Sequence, residues 1–275
     1  STVERTLWST RYGPVVGPAL GLPLNWTSTT AYAMRDANGG NIRGLNTWFE
    51  IAQARDTRGV LKALSDNLGS PWVNTITTDR SGNATYADIQ VVPHVTDELA
   101  QRCNTPMGAA VFPNTGVTVL DGSKTSCAWG NDPDSVVPGL FGPARQPQLT
   151  RSDYVANSND SAWLTTPATP ITNYPRIIGN VGTERGPRTR MAITELPGKR
   201  FSRQSMQDTL FSNRSHIADL AADDTAKMCD TLPDVADACA ALRHWDKTYS
   251  TWSRGSLLFE RFWLKVPSGS WKVPF

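Results

Sequence analysis

The chain has 275 residues, 39% of them hydrophobic, enough to bury a substantial core in one large domain or two small ones. Twenty-seven Lys and Arg against 25 Asp and Glu leave a net charge of +2 with no basic cluster, so neither nucleic acid nor an anionic membrane is an expected partner. No apolar run approaches the roughly 20 residues that span a bilayer, and Ser1-Thr2-Val3-Glu4-Arg5 lacks the charged-then-apolar order of a signal peptide.

Residues 7–16 read as an edge or bulged strand broken at Gly13-Pro14, because proline cannot donate to a sheet ladder. Ile42, Leu45, Trp48, Phe49 and Ala52 recur at helical spacing, and a second helix with Val60, Leu61 and Leu64 follows Asp56 as its N-cap. Residues 72–78 and 83–91 alternate around Asp79-Arg80-Ser81-Gly82, a turn tetrad whose glycine can take positive φ, and so predict a hairpin. Residues 106–147, with several prolines and Asp121-Gly122-Ser123, read as a long loop: a substrate rim, or a surface excursion tied down by cysteines. Residues 202–245 contain no glycine and only Pro233, and 206–211, 216–228 and 235–245 carry helical periodicity. The expected fold class is α+β, with a β-rich part over residues 1–200 and a helical part over 201–275.

The four cysteines form two local pairs, Cys103 with Cys127 and Cys229 with Cys239. Neither pair has CxxC spacing or a nearby histidine, so two short-range disulfides are expected, with reduced thiols the competing reading. Disulfides imply a secreted or periplasmic location.

The chemistry-bearing residues exclude several enzyme classes. His94 follows Pro93 at a strand end, whereas His216 and His244 fall in predicted helices; no pair has zinc-helix spacing, and there is no G-x-S-x-G, P-loop or GxGxxG. Each histidine reads as a structural or surface residue. The densest polar segment is Asn157-Ser158-Asn159-Asp160-Ser161, running into Ala162-Trp163-Leu164. A fixed side-chain amide there can donate to an oxyanion during acyl transfer, and an Asx turn before a strand accounts for the same composition.

Read together, Arg11-Tyr12-Gly13-Pro14-Val15-Val16, Ala33-Met34-Arg35-Asp36-Ala37-Asn38, Trp72-Val73-Asn74-Thr75, the Asp79–Tyr86 turn segment, residues 157–164 and Gly186-Pro187-Arg188 form a collinear set over essentially the whole chain. In that order they resemble the penicillin acylase family of N-terminal-nucleophile (Ntn) hydrolases, nearest the branch of acyl-homoserine-lactone and cyclic-lipopeptide acylases. Both cysteine pairs fall where that branch has them. The resemblance implies part of an αββα sandwich and a heterodimer cut from one precursor by autoproteolysis. It also implies hydrolysis of an amide joining an acyl chain to a polar amine such as a homoserine lactone, a cyclic peptide or a penicillin nucleus. The family's oxyanion-hole Asn falls on Asn159 and its active-site Arg on Arg188. Its apolar acyl pocket falls on Trp48, Trp72 and Val73, for which ordinary core is an equal reading.

In the family the nucleophile is a β-subunit N-terminal Ser whose own α-amino group is the base. Ser1 is not that residue: the small residue, glycine-containing segment and histidine that follow the family's nucleophile do not follow Ser1. The expectation is therefore a β-subunit segment whose partners are the α-subunit and the remaining β-subunit. The apolar stretch 257–263 is expected to lead back into the sheet, and the family continues beyond Phe275. No cofactor is expected; some members of the family bind calcium, which the acidic residues here, lacking calcium-loop spacing, do not by themselves support. The alternative is a secreted, non-catalytic module using its ten tryptophans as a ligand or carbohydrate platform.

Overall fold

A computed structural model describes residues 2–19 and 21–267; Ser1, Leu20 and the last residues, through Phe275, lie outside the described residues. The architecture is α+β, with helices and small antiparallel sheets in two compact units. The first comprises Ser1–Ala156 and Ser161–Thr183, the second Asn157–Asp160 and Glu184–Phe275. Among the described residues no helix is long and apolar enough to cross a membrane.

The first unit opens with a three-stranded sheet, β1 (Ser9–Thr10), β2 (Gly13–Val16) and β3 (Tyr32–Ala33), all antiparallel. The expected single strand is two, and its break lies at Arg11-Tyr12, not at Gly13-Pro14. Gly13 starts β2 at φ 130°, where a Cβ would stand 2.1 Å from the Met34 carbonyl oxygen, so only glycine fits against β3. Pro14 loses nothing as an acceptor: Met34 N–H donates to its carbonyl at 2.9 Å.

Two helices come next, α1 (Gly44–Gln53) and α2 (Thr57–Asn67). Asp56 caps α2 as expected, accepting from Gly59 N–H at 2.8 Å. At the other end of α2, the Arg43 guanidinium donates to the Asn67 and Leu68 carbonyls, where the helix dipole favours a cation. Val60, Leu64 and Leu68 pack on Ala87 and Ile89, with Ile51 and Ala54 beside them. The helix α1 thus faces its own core through Thr47 and Ile51, and the apolar stripe read from the sequence points the other way, with Leu45 76% and Phe49 69% exposed.

A second antiparallel sheet consists of β4 (Thr75–Thr78), β5 (Ala84–Ala87) and, joining from far along the chain, β6 (Gln148–Arg151). The β4–β5 hairpin turns on Asp79-Arg80-Ser81-Gly82 with Gly82 at φ 85°, as the tetrad predicts. All four residues of β5 are buried, and Thr85 pairs with Thr150 of β6 through a 2.8 Å hydroxyl contact.

The region read as a loop is partly helical. After α3 (Asp97–Cys103), α4 spans Pro106–Thr115. Thr105 caps it, Pro106 sits at its first position where no N–H is needed, and Gly116 closes it at φ 73°. Cys103 and Cys127 form a disulfide that ties the end of α3 to the segment beyond α4. His94 lies in no strand; its Nε2 is 3.0 Å from Oδ1 of the buried Asp132, which also accepts from Gly142 N–H. It is a structural histidine.

In the second unit α5 (Pro187–Glu195), α6 (Arg203–Phe211), α7 (His216–Cys229), α8 (Ala236–Arg243) and α9 (Ser256–Trp263) succeed one another in order. Ala218, Ala222, Ala226 and Cys229 form a small-residue seam along α7 that admits Cys239 and Leu242 of α8, and the Cys229–Cys239 disulfide closes the pair. Phe259 of α9 fills the cluster against Trp245 and Trp263. The stretch expected to return to a sheet is this helix, because Phe259, Phe262 and Trp263 at i, i+3 and i+4 bring their rings to one face.

Candidate active site

The segment 157–160 is a self-bonded turn. Asn157 Oδ1 accepts from Asp160 N–H at 3.1 Å and its amide donates to the Asp160 carbonyl at 2.8 Å. The next element is a 3-10 turn over Ala162–Leu164, not a strand. Within the 157–160 turn Asn159 takes φ 55°, the left-handed region that Asn enters more readily than other side-chain-bearing residues. Its side chain is turned outward and exposed.

Two anchors hold the turn against α5. Asp160 Oδ1 pairs with Arg185, whose side chain is buried, and Asp160 Oδ2 accepts from the Thr189 hydroxyl at 2.8 Å. Arg188, exposed in the first turn of α5, donates from Nη1 to Asn159 Oδ1 at 3.4 Å. A guanidinium can only donate, so it fixes which end of the carboxamide it meets. The Asn159 Nδ2 donor is thereby left facing away from the cation. The first turn of α5 carries no acidic residue, and a cation there opposes the helix dipole. Arg188 therefore adds nothing to the helix itself, while together with the exposed amide it makes a site suited to developing negative charge.

The residues named from sequence divide between the units. Asn159 and Arg188 are brought together in the second. Trp48, Trp72 and Val73 belong to the first, at 47%, 76% and 46% exposure, so they are not core residues of this chain. The four cysteines are disulfide-bonded as paired above. Sequence reasoning missed Arg185 and Thr189 as braces of Asp160. It also missed α5, although Gly186-Pro187 is a helix-start signal that was present to be read.

Among known proteins, the chain is 41% identical to the aculeacin-A acylase of Actinoplanes utahensis over 94% of its own length and 35% of that protein's. It is 34% identical to the acyl-homoserine lactone acylase PvdQ of Pseudomonas putida over 100% of itself and 35% of the relative. The corresponding protein of Pseudomonas fluorescens is likewise 34% identical, over 89% and 31%. The chain thus spans about a third of the length of the curated relatives it matches. Residues 1–273 match the model of the penicillin amidase family, and the chain belongs to that family.

Proposed function

We propose that this chain supplies the oxyanion-binding part of an amide-hydrolysing acylase whose nucleophile lies on polypeptide outside it. In this reading residues 1–200 carry the sheet-bearing part of an αββα Ntn β-subunit, 201–275 its helical part, and an α-subunit from the same precursor completes the site. Attack of a serine hydroxyl on the substrate carbonyl forms a tetrahedral intermediate. The Asn159 Nδ2 group donates to its oxyanion, and Arg188 keeps the carboxamide from turning over. The serine's own α-amino group takes the hydroxyl proton on attack and passes it to the leaving nitrogen, so that collapse expels the neutral amine; the same α-amino group then deprotonates the water that hydrolyses the acyl ester. The single observation that carries the reading is the pairing of Arg188 with the outward-facing Asn159 amide. Such a donor contributes about 3 to 4 kcal/mol of transition-state stabilisation.

The named activities of the relatives, on aculeacin A and on acyl-homoserine lactones, support an acyl amide as substrate and leave the carbohydrate-platform alternative without support. The exposure of Trp48, Trp72 and Val73 is compatible with an acyl-pocket wall completed by other polypeptide. The two disulfides support an extracytoplasmic location. A chromogenic panel on the intact protein, with phenylacetyl, octanoyl and dodecanoyl anilides, tests the proposal: hydrolysis of at least one is expected, and hydrolysis of none sinks it.

A further inference from the structure

Apart from the Asn159 site, the first unit holds a second group of cationic and aromatic side chains. Arg11 and Tyr12, at the turn between β1 and β2, lie beside residues 122–129. The Tyr12 hydroxyl donates to the Gly122 carbonyl at 2.9 Å and accepts from Arg11 Nη2 at 2.6 Å, and Arg11 Nη2 also reaches that carbonyl at 3.3 Å. The ring is pinned at its tip. Arg35 enters from the end of β3: its guanidinium carbon is 3.7 Å from the centre of the Trp129 ring and 6.0 Å from that of Tyr12, while Arg11 stands 4.8 Å from the same Tyr12 ring. Arg11, Tyr12, Arg35, Thr125 and Ala128 line an open cleft of about 270 Å³.

Two guanidiniums therefore share one aromatic ring, and neither meets a carboxylate among the described residues. Stacking on Trp129 fixes the plane of Arg35 without using any of its five N–H donors. A guanidinium held this way is pre-oriented for a two-point contact with a planar oxoanion. The cleft volume lies just below the roughly 300–1,000 Å³ of pockets for drug-sized ligands, so the occupant is small. The Tyr12 ring, the Ala128 methyl and the Thr125 side chain favour a ring or short apolar body behind the charge. We infer that this cleft binds a small organic carboxylate, clamped by Arg35 and Arg11 with its apolar body along Tyr12.

Calorimetric titration of the intact protein tests this with benzoate, its uncharged isostere benzamide and inorganic phosphate. Saturable benzoate binding is expected, at least tenfold tighter than benzamide and tighter than phosphate. Arg35→Gln is expected to weaken benzoate at least tenfold, whereas Arg55→Gln, at another exposed arginine, leaves it unchanged. Gly122→Ala is expected to weaken it as well, because a Cβ there would come within 3.0 Å of the Tyr12 ring and displace it. Equal affinity for benzoate and benzamide, tighter phosphate, or benzoate binding that does not saturate or survives Arg35→Gln overturns the inference. The readout is binding alone, so it stands or falls independently of amide hydrolysis.

Discussion

Asn159 carries two constraints that substitution separates. Its φ of 55° costs most L-residues about 1–2 kcal/mol, a penalty glycine escapes, whereas its carboxamide is the proposed donor. Asn159→Gly is therefore expected to lower kcat of the intact enzyme about 10²- to 10³-fold with the melting temperature hardly changed, and Asn159→Ala to lower both. A glycine variant with full kcat removes the residue from the site. Asp160 behaves differently, because it neutralises the buried Arg185 and ties down Thr189. Asp160→Ala removes the carboxylate that faces this buried guanidinium and the acceptor of the Thr189 hydroxyl, and is expected to cost about 3 kcal/mol in urea unfolding; a loss under about 1 kcal/mol shows the pair to be dispensable. The polar crowding of 157–160 was legible as a donor cluster, since Asn and Asp bond their own backbone over short spacings. Arg185 was not, because an ion pair across 25 residues leaves no periodic mark in sequence.

At the scale of elements, the hairpin of β4 and β5 shows why some structure was readable. Its turn chemistry is local, and Asp79 organises it: the carboxylate accepts from the Asn83 amide, from Ser81 N–H and from the Thr57 hydroxyl at the start of α2. The hydrogen bond from the Asn83 side chain, foremost among these, holds its pKa well below the usual carboxylate range. The folded value thus lies beneath the unfolded one. The contribution to stability is present above the unfolded value of about 3.9 and is lost as pH falls below it. Wild type is expected to lose more stability than Asp79→Asn between pH 5 and pH 2, compared by urea midpoints; parallel profiles defeat the assignment. The helix α4 was missed for the converse reason. Pro106, Gly108, Pro113 and Gly116 all read as breakers, yet Pro106 and Gly116 stand at the two helix positions that favour them. Nor was β6 foreseeable as the partner of β5, since more than 60 residues separate Thr85 from Thr150 and nothing local specifies the pairing.

For the whole molecule, the informative mismatch is the outward stripe of α1. Of Ile42, Leu45, Trp48, Phe49 and Ala52, all but Ile42 lie in α1 as their spacing predicts, but periodicity cannot say which of two faces meets the core of the same chain. Thr47 and Ile51 do so here, and the more apolar face is left to solvent together with Trp72. Large apolar side chains exposed along one helix face mark a place where other polypeptide packs. A chain spanning about a third of its relatives' length has such polypeptide as its natural partner under the proposed function. Burying a Leu or Phe side chain contributes roughly 1.5–3 kcal/mol, whereas replacing an exposed one changes stability by at most about 0.5 kcal/mol. Leu45→Gln and Phe49→Gln should therefore each destabilise the intact protein by about 2 kcal/mol in chemical unfolding if the stripe is covered there. Losses below about 0.5 kcal/mol for both would show that α1 keeps its apolar face in water, and the covering polypeptide would have to be sought on another surface.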